Sequence, residues 1–239
     1  MNFKTVIFSA VFVLACLTPA AVSAMGERPE PSRMCDMSWW TKKFVLSTRD
    51  GQKSETFKVP PRYMSAELER AGKVNTTLHI DAVLDTLEPR CQDDGQPVGK
   101  ERALRLRLSI NRRAPDDWAQ AVKLSYADTE LYQFEEIDIE GYPDFIFKAS
   151  NRRPAPKPLS SRTYGDIPVY PKRNLDIPTF FTVECRLFAD MKTLDLCKIS
   201  FLYNEQIAVR ATFPASELVR LEQIYVSVVK IIQRFHVQK

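Results

Sequence analysis

The stretch TFFTVECRLFADMKTLDLCKISFLY, from Thr179 to Tyr203, admits very few backbone arrangements. Apolar and polar residues alternate on both sides of FADMKT, the pattern of two half-buried strands joined by a loop. Setting Cys185 opposite Cys197 places Phe181 against Phe201, Val183 against Ile199, Thr182 against Ser200 and Glu184 against Lys198. Apolar side chains then meet on one face, while hydroxyls and opposite charges meet on the other. Such cross-strand pairs contribute roughly 0.2–1 kcal/mol each. A slip of one residue would turn every side chain of one strand to the opposite face, so the register is specified.

The next segment repeats the pattern. Ile207, Val209, Ala211 and Phe213 form another apolar face. Matching it to Ile199 and Phe201 requires a connection of odd length around Asn204, such as a bulged three-residue loop. In PASELVRLEQIYVSVVKIIQRF, Ser216 is placed as an N-cap and Glu217 falls in the first turn. Leu218, Leu221, Ile224, Tyr225, Val228, Val229, Ile232 and Phe235 recur at three- and four-residue steps. This spacing predicts a long amphipathic helix of about five turns, covering one face of a three-stranded meander.

Whether the two cysteines form a metal clip, a redox pair or a disulfide depends on compartment. MNFKTVIFSAVFVLACLTPAAVSA carries one lysine, an apolar run from Val6 to Leu17 and a small-residue end. This predicts a secretory signal peptide over 1–24, cleaved after Ala24. The run is shorter than the roughly 20 residues a spanning helix needs. VLAC, Val13–Cys16, imitates a lipobox, so a lipid on Cys16 is the competing expectation and the one route to membrane attachment. The exported product is expected in an oxidising compartment, with a flexible lead-in over 25–34. Loss of Lys4 lowers the formal charge from +4 to +3, which is not a nucleic-acid footprint.

Four cysteines remain after export: Cys35, Cys91, Cys185 and Cys197. An even number in an oxidising compartment predicts two disulfides, with three possible connectivities. No CxxC pair supports a zinc ribbon or a thioredoxin-type motif. The hairpin register makes Cys185 and Cys197 direct neighbours, and by subtraction Cys35 bonds Cys91.

Residues 35–150 read as an N-terminal lobe. A hairpin turns at Arg49-Asp50-Gly51, and SAELERAG (65–72) reads as a short helix. TTLHIDAVLDTL (76–87) reads as a strand. RALRLRLSI (102–110) points Leu104, Leu106, Leu108 and Ile110 one way and Arg105, Arg107 and Ser109 the other. APDDWAQAVKLSYA (114–127) opens as a helix does. LYQFEEIDIEG and PDFIFKAS form two strands around Gly141-Tyr142-Pro143. Six prolines within 151–178 predict an irregular crossover, and 179–239 holds the meander and helix. The expected fold class is α+β: antiparallel sheets with packed helices, in two lobes.

Enzymatic chemistry is poorly supported. The only histidines are His79, on a predicted strand, and His236, near the chain end. Neither lies in a GxSxG or HExxH context, and both read as structural or surface residues. The acid pairs Asp93-Asp94, Asp116-Asp117 and Glu135-Glu136 read as solvated turns or as neighbours on opposite strand faces. With seven glycines and no phosphate-cradling loop, no cofactor is expected. The chain reads as a binder, not an enzyme.

FTVECRLF, LDLCKISFLYNEQIAVRATF and the helix ending in IIQRF, preceded by YPDFIFKAS and by a signal peptide, resemble periplasmic immunity proteins of type VI secretion systems, the lipase-effector type above all. The resemblance spans Tyr142–Phe235. It implies a non-catalytic inhibitor that binds a cognate secreted effector and blocks its active site or its motion. Tyr142, Arg152, Arg153, Tyr164 and Tyr170, in or beside the proline-rich crossover, are the expected partner contacts. An envelope protein that carries lipid or another ligand in a groove between sheet and helix is the alternative.

Overall fold

In the computed structural model the alternating segments pair into sheets. The structure describes residues 41–48, 50–64, 75–90, 99, 102–112, 117, 134–150, 163–177, 181–188, 190 and 192–238. The expected signal peptide, lead-in, Cys35 and Cys91 lie outside the described residues, as do Arg152, Arg153 and the helix expected at 65–72. The helix expected at 114–127 does too, apart from Asp117.

Strands β1 (Lys42–Ser47) and β2 (Ser54–Val59) form the expected hairpin as a separate two-stranded sheet. Gly51 takes φ 72° in its turn, a conformation that costs glycine little. The larger sheet contains β3 (Thr77–Val83), β4 (Ala103–Ile110), β5 (Phe134–Ile137) and β6 (Phe145–Ser150). It continues through β7 (Thr163–Pro171), β8 (Phe181–Phe188), β9 (Leu194–Leu202) and β10 (Ile207–Pro214). Their order in space is β3-β4-β10-β9-β8-β7-β6-β5, and every pairing is antiparallel.

This topology corrects the expected fold class. The protein is β-rich, with one complete α-helix among the described residues, α1 (Leu221–Phe235). Two lobes do not form either. Strand β10 lies between β9 and β4, so one sheet unites segments assigned to both lobes, and Met34–Lys239 forms one compact unit. The physical reason is that alternation reports a strand's two faces and not its neighbours. The apolar face of β10 suits β4 as well as β9.

Residues 163–171, expected within an irregular crossover, are strand β7. Its prolines fit because the ladder adapts to them. The β6–β7 pairing ends at Val169, beside Pro168, which has no N–H to extend it.

The meander matches its expected register: Phe181 faces Phe201, Val183 faces Ile199, and Cys185 faces Cys197. Beyond the cysteines a bulge shifts the pairing to Leu187 with Leu194, so the uniform register stops there. The β9–β10 connection is odd, as expected. Tyr203 N–H donates to Ile207 O at 2.9 Å, enclosing residues 204–206. Asn204 Oδ1 accepts from the N–H groups of Gln206 (2.9 Å) and Ile207 (2.7 Å).

Ser216 does not cap the helix. Ala215–Arg220 is a 3-10 turn, and neither it nor α1 has a side-chain N-cap bond. Glu217 instead pairs with Arg220 at 2.9 Å, and Arg220 also reaches Asp85 at 2.9 Å. Leu221, Ile224, Val228, Ile231, Ile232 and Phe235 of α1 are buried. They share one core with the inward residues of the larger sheet and with Phe44, Leu46, Phe57 and Val59 of the small sheet.

Cys185 and Cys197 form a buried disulfide with Cα atoms 4.0 Å apart. Replacing both with alanine is expected to lower the unfolding free energy by about 3 kcal/mol, the contribution of a short closed loop. Urea denaturation at one pH measures the loss. No measurable loss would mean that the cross-strand side chains hold the register unaided.

Candidate functional site

The end of α1 runs into the small sheet. His236 N–H closes the helix on Ile232 O at 2.8 Å, and its extended backbone bridges Phe57 in antiparallel fashion. Val237 N–H then donates to Thr56 O at 2.9 Å. The chain end thus lies along β2 as a short third strand would. Strand β2 buries Glu55, Phe57 and Val59, so a carboxylate occupies an inward position where it is costly unless paired. His236 supplies the partner. Its Nε2 lies 2.7 Å from Glu55 Oε2, and each side chain is only 9% exposed. The imidazole also packs against Phe57 at 5.1 Å and meets Tyr203 edge-on at 6.1 Å.

A cleft of about 660 Å³ opens beside this pair. Tyr203 and Gln206 line it from the β9–β10 turn, Tyr225 and Gln233 from α1, and Gln238 from the chain end. Tyr225 is held by a T-shaped contact with Phe201, 4.9 Å between centroids. Asn204 also borders the cleft, with its side-chain oxygen committed to the turn. Among the described residues the lining contains no serine, threonine or cysteine beside the His236–Glu55 pair. Among the described residues, no group of three or more His, Cys, Asp or Glu side chains could hold a metal ion. The cleft presents two tyrosine rings flanked by amides.

The expected contact residues lie elsewhere. Tyr142 sits in the β5–β6 turn, half-buried, with its ring edge-on to Phe147 at 5.9 Å. Burial raises its hydroxyl pKa above the ordinary tyrosine value. Tyr170 lies on β7 opposite Ile146, with Lys148 Nζ 5.4 Å from its ring centroid. Tyr164 falls within β7, and its side chain lies outside the described residues. Sequence reading missed the cleft, although SETFKV does place Glu55 in phase with Phe57 and Val59, a legible sign of a carboxylate that must find a partner.

The other face of the larger sheet is polar. Lys198 Nζ contacts Asp166 at 2.7 Å and Glu184 at 2.9 Å. Burial opposes the Lys198 charge, but its bonds to Asp166 and Glu184 outweigh this and raise its pKa. Arg186 joins the network through Asp166 at 3.8 Å and Asp195 at 3.6 Å. At Asp81 the balance reverses. Burial raises the carboxyl pKa against the attraction of Arg105 and Arg90.

No protein-family model and no curated protein matches the chain. Solved structures do. Smlt3025, an immunity protein of the Stenotrophomonas maltophilia type IV secretion system, aligns with a TM-score of 0.51 at 10% identity, over 86% of this chain and 98% of its own. The Saccharomyces cerevisiae Ran-binding protein Mog1p matches over 81% of this chain and 92% of its own at 11% identity, but its TM-score of 0.28 carries no argument. At such identities the likeness is one of fold, and the chain folds like a secretion-system immunity protein.

Proposed function

We propose that this protein is an immunity protein of the periplasm that binds a secreted toxic effector and neutralises it. The observation that carries this reading is the shared fold with a secretion-system immunity protein across nearly the whole of both chains. A buried disulfide in the central hairpin is compatible with an exported protein. Its specific form follows the sequence resemblance: the effector is a lipase of a type VI system, blocked at its active site or in its motion. Tyr142 and Tyr170, with the segment carrying Arg152, Arg153 and Tyr164, and the tyrosine-lined cleft are the proposed contact regions. A lipid-carrying role has less support. The layer between sheet and helix is filled by buried residues such as Phe201, Val228 and Ile232, and the cleft is lined by amides and tyrosines.

The test is periplasmic co-expression with the secreted toxin encoded beside this gene. Growth should be rescued, and the purified oxidised protein should abolish the toxin's phospholipase activity at a one-to-one ratio. Unrestored growth together with undiminished activity would overturn the proposal. Neutralisation of a toxin that is not a lipase would retain the immunity role and remove its lipase form.

A further inference from the structure

The polar face of the larger sheet carries adjacent transverse rows that differ in how their charge is balanced. One row runs Asp81, Arg105, Thr212, Lys198, Glu184 and Pro168 across six strands. It neutralises itself. Asp81 meets Arg90 at 3.3 Å and attracts Arg105, while Lys198 holds Asp166 and Glu184. The next row runs His79, Arg107, Arg210, Ser200 and Thr182 and contains no carboxylate. Beyond it lie Thr77, Ser109, Ala208 and Leu202, all uncharged.

Arg107 and Arg210 are therefore direct cross-strand partners of the same charge. Their Cα atoms should lie about 4.5–5.5 Å apart, as paired residues in antiparallel sheets do. Both are exposed, and neither has an ion-pair partner among the described residues. Like charges in this arrangement destabilise a sheet. Among the described residues nothing compensates the pair, whereas the neighbouring row shows how readily this sheet supplies counter-charges.

We propose that the Arg107–Arg210 row is a docking surface for an acidic segment of a protein partner, with an aspartate or glutamate carboxylate seated between the two guanidinium groups. Planar forks side by side suit bidentate carboxylate binding, and the hydroxyls of Ser200 and Thr182 extend the same row. A protein fits better than a uniform polyanion. The same face carries Glu184, Asp166 and Asp195 paired with Lys198 and Arg186, so it alternates in sign, and a mixed-charge protein surface can complement both signs. The proposal does not depend on the partner being a toxin.

The test titrates the full oxidised protein with a fluorescent glutamate-rich decapeptide and, separately, with phosphatidylglycerol vesicles. The peptide should bind, more tightly at low salt. Arg107→Glu/Arg210→Glu should weaken it by roughly tenfold or more, and Arg107→Gln/Arg210→Gln by less. The glutamine variant removes the repulsion, so its melting temperature should not fall. That keeps the comparison valid even if the charge-reversed variant folds poorly. No peptide binding by the unaltered protein, unchanged binding by the glutamine variant, or vesicle binding as tight as peptide binding would each overturn the proposal.

Discussion

Phe201→Ala is expected to destabilise the protein by about 3–5 kcal/mol, the range for truncating a fully buried aromatic. Phe201 is 0% exposed on β9 and has its three neighbours fixed by geometry. Phe181 faces it from β8, Val209 faces it from β10, and Tyr225 of α1 meets its ring edge-on. Truncation would therefore leave a void at the junction of the sheet and its covering helix. Rigid strands on two sides limit how far that void can collapse, which places the cost high in the range. Phe201→Leu keeps most of the volume and should cost far less, below about 2 kcal/mol. Urea titration followed by far-UV circular dichroism separates the two variants. An alanine variant no less stable than the leucine variant would show that α1 does not depend on this contact. The same truncation should loosen Tyr225 and so disturb the cleft, linking the core to the surface proposed for recognition.

How much of this was legible in the sequence depended on the range of each interaction. The Cys185–Cys197 hairpin, the Asn204 turn and the inward leucines of β4 were readable because each rests on local alternation. So were most of the buried positions of α1, whose apolar stripe repeats at helical spacing. Ser216 misled because its favourable cap position says nothing about the tight turn that Pro214 leads into directly from β10. The proline-rich segment misled in the opposite way. Its prolines suggested irregular chain, yet Pro168 is tolerated where the ladder to β6 ends. The pairing of β10 with β4 joins residues about a hundred positions apart, and no local pattern encodes it. The opposed arginines of β4 and β10 were therefore invisible until the sheet order was known, although the outward direction of Arg107 was not. The cleft required the same kind of information, since it brings together a strand near residue 55, a turn near 204 and the chain end.

His236→Ala should cost about 1–3 kcal/mol, the penalty for leaving a largely buried polar group without its partner. The reason is what it leaves behind. Glu55 would stay in an inward position between Phe57 and the chain end, with its carboxylate deprived of the partner now 2.7 Å away. Deleting one member of a buried pair exposes the desolvation cost of the other, so the loss should exceed that of an ordinary hydrogen bond. Removing both partners tests this account directly. Glu55→Leu/His236→Leu should recover much of the stability, because two apolar side chains leave no unpaired polar group. A double variant as unstable as His236→Ala would place the cost in lost packing against Phe57 and Tyr203 instead. The location of the loss is a second check. His236 and Val237 tie the chain end to β2, so amide exchange in His236→Ala should accelerate first in β1 and β2. The β8–β9 hairpin, pinned by its disulfide, should keep its protection longest. Exchange that quickens equally in both sheets would mean that the His236–Glu55 pair supports the whole core, with no special hold on the small sheet.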